Sequence, residues 1–200
     1  MAVWFHGQGG TRDNRMNRRW LNALRENGWA IASSDFRLTA WGSPLSVEDT
    51  RSLVLWATNL TGVTPTLWIA GSMGSATSLN ALNHSDVPRP RCWYGTMPVV
   101  DLQSVSNVPG ADEQIKIAWN GSVPPAWNPV LNIAALPRDI LYRVVTSRGD
   151  TQVPAIANGE RLVAELQANG ATATLYQAVG EHGDDSHFNS TDLQSFAERC

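Results

Sequence analysis

Leu67-Trp68-Ile69-Ala70-Gly71-Ser72-Met73-Gly74-Ser75 is the stretch on which the fold turns. An apolar, β-favouring half runs into a cluster of small residues with Ser72 at the apex. A helix-compatible run, Ala76 to Leu82, follows at once. A strand that enters a tight turn and leaves as a helix lifts the apical hydroxyl above the end of a sheet. Small residues are needed around it, here Ala70 two places before and Gly74 two places after, because larger side chains would collide across the turn. The turn also aims fresh backbone N–H groups at whatever approaches the serine. Taken alone the pentapeptide carries little weight, since glycine-flanked serines are common in loops.

Outward from that stretch, strand-like and helix-like segments alternate. Ala2 to Phe5 is a short apolar strand, followed by the loop His6-Gly7-Gln8-Gly9-Gly10. Arg15 to Asn27 spaces Trp20, Leu21 and Leu24 along one helical face and stops at Gly28. Trp29 to Ser33 is a second strand, with Asp35 and Arg37 beyond it in salt-bridged structural roles. After the loop Trp41-Gly42-Ser43-Pro44, Ser46 reads as a helix cap with Asp49 three places on. Leu53, Trp56, Ala57 and Leu60 then form the buried stripe, ended by Gly62. Cys92 to Met97, Leu141 to Thr146 and Thr172 to Val179 read as three further strands. Helices are expected over Ile156 to Asn169 and Thr191 to Arg199. Residues 98–140 are irregular and proline-rich, yet Ile115, Ile117, Trp119 and Trp127 are too apolar for a solvated tether, so the segment reads as a cap or lid. The alternation implies βαβ units: an α/β fold with a mostly parallel sheet of about six strands flanked by helices, residues 1–200 forming one domain.

Composition excludes several classes. With 42% hydrophobic residues in 200, a sizeable core is available, and a net charge of −3 without any basic run gives no case for nucleic acid. No apolar run approaches the roughly 18 residues of a membrane span, and no charged-then-apolar leader is read at the start. Cys92 and Cys200 make neither a disulfide framework nor a metal site. Cys92, inside a strand, reads as a buried small hydrophobe, and the pairing of Cys200 stays open. No metal or organic cofactor is expected.

In a parallel sheet the loops after the strands share one edge. That edge collects the glycine-rich loop after the first strand and Ser72 after the third. Asp150 follows the fifth strand, in Gly149-Asp150-Thr151-Gln152-Val153-Pro154, and His182 follows the sixth, in Gly180-Glu181-His182-Gly183. Serine, acid and histidine in that order, with each loop matching separately, resemble the α/β-hydrolase family, whose signature G-x-S-x-G departs here only in Ala70. Asn128-Pro129 and Leu136-Pro137 are similar to members of the esterase and prolyl-oligopeptidase type. The resemblance runs from residue 2 to 199 and lacks the N-terminal strand pair usual in the family, which would leave the second strand as an edge covered by another chain, domain or subunit.

The resemblance implies Ser72 as nucleophile, His182 as base and then acid, Asp150 as the acid orienting it, and an oxyanion hole from the N–H groups of Met73 and Gln8. His187, five residues beyond His182 and beside Asp184 and Asp185, is the competing base; the two aspartates themselves read as a turn or helix cap. His6 reads as structural and Glu181 as exposed. Gln8, Trp41 and Trp119 are the expected substrate contacts, although tryptophans in loops serve equally as packing. The implied activity is a serine esterase cleaving a small or polymer-attached carboxylic ester. A peptidase or amidase using the same residues is one alternative; a binding module of a larger assembly, such as a phage tail, is the other.

Overall fold

The computed structural model describes residues 1–13 and 16–200. The strands are β1 (Ala2–Phe5), β2 (Ile31–Ser33), β3 (Leu67–Gly71), β4 (Cys92–Thr96), β5 (Leu141–Thr146) and β6 (Thr172–Gln177). They form one parallel sheet in the order β2-β1-β3-β4-β5-β6. The helices are α1 (Arg18–Glu26), α2 (Pro44–Thr61), α3 (Met73–His84), α4 (Ala111–Ala118), α5 (Gly159–Ala168) and α6 (Ser190–Ala197). The expected start of the first helix at Arg15 lies outside the described residues; Asn17 caps α1 by accepting from the N–H of Arg19.

Period-two alternation divides the core into two layers. On one face Val3, Phe5, Trp68 and Trp93 pack with Val54 of α2, Leu79 of α3 and Leu162 and Leu166 of α5. On the other Ala2, Trp4, Ile69 and Tyr94 pack with Trp20 and Leu24 of α1 and Leu193 and Phe196 of α6. A third cluster, Trp41, Met73, Val99, Val105 and Ile115 among its members, lies under the segment between β4 and β5. That segment is ordered by α4 and three short 3₁₀ turns, Pro125–Trp127, Pro129–Leu131 and Ile133–Ala135.

Three expectations need correction. The second long helix begins at Pro44, not after Ser46, because proline suits the first helical position, where an N–H has no partner anyway. Ser46 lies inside the first turn, and Asp49 pairs with Arg37 (Nε–Oδ2 2.9 Å) instead of completing a capping box. The buried stripe of α2 includes Ser46 and Thr50, whose hydroxyls donate to the carbonyls of Ser43 and Ser46, at 2.8 Å each. Small hydroxyl residues satisfied by their own helix can go inside. Trp56 and Leu60, placed in the stripe by apolar count, are left 58% and 68% exposed.

The third correction concerns the cysteines. Cys92, at the start of β4, is joined to Cys200 in a disulfide spanning 108 residues, with their Cα atoms 5.6 Å apart. Cys92 is buried as expected, but as half of a cross-link that returns the end of the chain to the middle of the sheet.

Candidate active site

The sheet order reverses direction at β1 and β3: the chain runs outward to β2 on one side and to β4, β5 and β6 on the other. At such a switch point adjacent loops diverge and leave a crevice at the carboxyl ends of the strands. The loop His6–Gly10 and the turn at Ser72 emerge there side by side.

Ser72 has φ +48° and ψ −119°, a left-handed backbone that a serine adopts only under constraint. The constraint is visible: Ser72 N–H donates to the Thr96 carbonyl (3.0 Å), and the Ser72 carbonyl accepts from Ser75 N (3.0 Å) and Val99 N (3.1 Å). Gly74 is required by close approach, since a Cβ there would lie 2.4 Å from the carbonyl oxygen of Phe5. The loop after β1 lies directly against the serine, a Cβ on Gly7 falling 3.5 Å from Ser72 Cβ. Met73 opens α3, so its N–H belongs to the first turn and has no intrahelical acceptor.

The loops after β5 and β6 bring two further groups to Ser72. His182 Nε2 is 3.0 Å from Ser72 Oγ, and His182 Nδ1 is 2.7 Å from Asp150 Oδ2. A carboxylate only accepts, so Nδ1 carries the proton; Nε2 is then free to accept from the serine hydroxyl. Asp150, 4% exposed, also accepts through Oδ1 from the N–H groups of Gln152 (3.0 Å) and Val153 (2.9 Å). Burial pushes its carboxyl up, but the bonds from His182, Val153 and Gln152, with the charge interaction of His182, together outweigh burial and hold it below the usual carboxylate range.

The two loops are tied to each other. Ser147 Oγ donates to the Gly180 carbonyl (2.7 Å), and Glu181 Oε2 accepts both the N–H (3.0 Å) and the hydroxyl (2.9 Å) of Thr151. Glu181, expected to be merely exposed, therefore links the neighbour of His182 to the neighbour of Asp150. Gly180 and Gly183, both at φ +83°, give the loop its reversal around His182, and Met97 Sδ accepts from Gly183 N–H.

No protein-family model matches the sequence, and neither does any curated protein sequence. Solved structures do match. A puromycin-hydrolysing peptidase of Mycobacterium tuberculosis superimposes with a TM-score of 0.74 at 18% identity over 96% of this chain. Carboxyl esterase 2 of the fungus Tuber melanosporum gives 0.66 at 20% identity, covering 98% of this chain and 75% of its own. An esterase of Pyrococcus furiosus gives 0.74 at 15% identity, covering 99% and 82%. The chain has the α/β-hydrolase fold. It spans about a third (33%) of the length of the mycobacterial peptidase.

Within this α/β-hydrolase fold the other sequence candidates find definite places. His187, the competing base, is fully buried in the 3₁₀ turn Asp185–Phe188, its Nδ1 facing the Asp184 carbonyl at 3.2 Å, and it does not reach Ser72. Asp184 caps that turn, accepting from Ser186 N–H at 2.9 Å, and Asp185 pairs with Arg19. Asp35 pairs with Arg12 and Arg37 with Asp49. His6 is buried, with Nε2 3.0 Å from the Asp35 carbonyl. Trp41 is fully buried, its Nε1–H donating to Gln114 Oε1 (3.1 Å), so it offers no surface to a substrate in this arrangement. Trp119 is half-buried; its Nε1–H donates to the Trp41 carbonyl (3.3 Å), and its ring meets Trp127 edge-on. The Gln8 side chain, expected near substrate, is turned instead to Pro109 and Gln114, in the segment between β4 and β5. Gln114 was not anticipated from sequence, because nothing in its spacing marks it.

Among the described residues no cluster of His, Cys, Asp and Glu could hold a metal ion, and no helix is long and apolar enough to cross a membrane.

Burial holds the His187 imidazole below the ordinary histidine value, against an opposing bond from Asp184 and the charge of Asp150, with His182 adding to the depression. The unfolded chain therefore takes up this proton first. The contribution to stability is complete above about pH 6.5 and is lost as the pH falls through the folded value, with a limiting slope of about 1.4 kcal/mol per pH unit for one proton. Urea unfolding at pH 7.5 and 5.5 should show a larger acid loss for the wild type than for His187→Gln. Equal losses would dismiss the assignment.

Proposed function

We propose that the protein is a serine hydrolase cleaving carboxylic esters through an acyl-enzyme. One observation carries this reading: Ser72 Oγ, His182 and Asp150 form a continuous hydrogen-bonded relay of 3.0 and 2.7 Å at the switch point of the sheet. Ser72 attacks the ester carbonyl as His182 Nε2 takes its proton. Asp150, held as a carboxylate, stabilises the imidazolium without itself accepting the proton. The tetrahedral intermediate places its oxyanion against the N–H groups of Met73 and Gln8, each worth about 10² to 10³ in rate. His182 then protonates the departing alcohol and draws a proton from water for deacylation.

Two of the three similar structures described above are esterases, which supports an ester over an amide. The cap over residues 98–140 is short. It suits a small ester or one attached to a polymer chain rather than a long acyl chain enclosed by a domed lid. β2, a half-buried strand of three residues at the sheet edge, is the place where a further domain or subunit would sit.

The test is hydrolysis of p-nitrophenyl esters from acetate to decanoate, with fluorophosphonate labelling, on the wild type beside Ser72→Ala. The wild type should turn over short esters and take the label; Ser72→Ala should do neither. Folded wild-type protein that takes no label would end the serine-hydrolase reading. Labelling without turnover of any ester, combined with cleavage of aminoacyl amides, would replace the esterase with an amidase.

A further inference from the structure

The side-chain amide of Gln8 is committed to the cap. Its Nε2 donates to the carbonyl of Pro109 (2.8 Å) and to Gln114 Oε1 (2.9 Å). The same Gln114 oxygen accepts from the indole N–H of Trp41 at 3.1 Å. Chemistry fixes both amides the same way round: a proline carbonyl can only accept and an indole N–H can only donate. Both hydrogens on Gln8 Nε2 are thus consumed, and both lone pairs of Gln114 Oε1 are consumed with them. The packing is close, since a Cβ on Gly110 would contact the side-chain nitrogens of Gln114 (3.6 Å) and Gln8 (3.9 Å).

One atom of α4 therefore fastens two loops of the sheet edge, the one after β1 and the one carrying Trp41. Trp41 is itself fully buried and belongs with Met73 to the apolar cluster beneath the cap. The loop after β1 needs such a fastening. Its residues 7, 9 and 10 are glycines, which lose more conformational freedom on ordering than any other residue. Its other ties include Gly10 N–H to the Gly7 carbonyl (3.1 Å) and the ring of His6. An oxyanion donor acts only if it is in place before charge develops, and a displacement of about 1 Å costs on the order of 10²-fold.

We infer that Gln114 is a positioning residue for the reaction: through the side chain of Gln8 it holds the backbone N–H of Gln8 at the oxyanion site. This rests on the proposed serine hydrolysis. Gln114 touches neither substrate nor reacting atoms. Its effect falls on the transition state, where the donor is used, and spares ground-state binding.

The experiment compares Gln114→Leu, Gln114→Glu, Gln8→Ala and the Gln8→Ala/Gln114→Leu pair with the wild type on p-nitrophenyl acetate, with Ser72→Ala alongside. Gln114→Leu keeps the volume and removes the acceptor; kcat should fall about 10-fold to 10²-fold with KM changed by less than about threefold. Gln114→Glu keeps two acceptor oxygens and should return kcat to within about threefold of the wild type. Gln8→Ala should match Gln114→Leu, and the double variant should be no worse than either, as members of one chain of contacts behave. Unchanged kcat in folded Gln114→Leu, equal losses in the Leu and Glu variants, or multiplying losses in the pair would each overturn the inference. If Gln114→Leu does not fold, Gln8→Ala decides by the same criterion, an unchanged kcat overturning it. Wild-type-like turnover in Ser72→Ala would instead sink the serine-hydrolase reading, and this inference with it.

Discussion

Replacing His182 with alanine is expected to lower kcat on p-nitrophenyl acetate by at least about 10³-fold, whereas His187→Gln should cost less than about tenfold. His182 is the histidine within hydrogen-bond reach of Ser72, with its second nitrogen on a carboxylate buried to 4% exposure. Without the imidazole the serine proton has no acceptor, and a barrier increase of about 4 kcal/mol corresponds to that loss. His187 lies five residues away in sequence, but its ring is enclosed in a 3₁₀ turn and faces the Asp184 carbonyl. Steady-state kinetics on the two variants, with circular dichroism to show that both are folded, checks the assignment. A large loss in His187→Gln with a small one in His182→Ala would reverse it.

The second large effect belongs to the cross-link. Cys200→Ser is expected to destabilise the protein by about 2–4 kcal/mol, read as a lower urea midpoint. The disulfide closes a loop of 108 residues, and closure of long loops removes the most freedom from the unfolded chain. It also pins the end of α6, whose Phe196 packs on Tyr94 of β4, and whose Asp192 accepts from Tyr94 Oη and from Nε and Nη2 of Arg143. Reductant added to the wild type should reproduce the shift and leave Cys200→Ser where it is. A wild type whose midpoint ignores reductant, though the bond is shown to be broken, would disprove the contribution.

The grouping of Ser72, Asp150 and His182 was legible in the sequence for a specific reason. A left-handed serine between a strand and a helix demands small neighbours, and those neighbours, Ala70, Gly71 and Gly74, are written at fixed offsets. Asp150 and His182 stand out in the sequence because each directly follows a strand and sits in a glycine-marked loop. The fold was legible from alternating periodicities, which is why all six strands were placed, with ends shifting by one or two residues. What could not be read is what depends on distance in three dimensions. Nothing local joins Cys92 to Cys200, or Gln114 to Gln8 and Trp41, since those contacts cross 73 to 108 residues. The stripe of α2 misled because periodicity counts apolar side chains, whereas Ser46 and Thr50 go inside by bonding to their own backbone.

Two members of the relay hang from strands of unequal security. Ser72 rises from β3, which is fully buried between two neighbours, while His182 follows β6, an outermost strand with Thr172, Thr174 and Gln177 open to solvent. Outermost strands open locally at a lower free energy than the centre of a sheet. In the proposed mechanism, a brief fraying of β6 would carry His182 away from Ser72 and leave the serine, its helix and most of the core intact. Heat, denaturant or a loosened edge should silence the molecule chemically before any bulk measure of structure records a change.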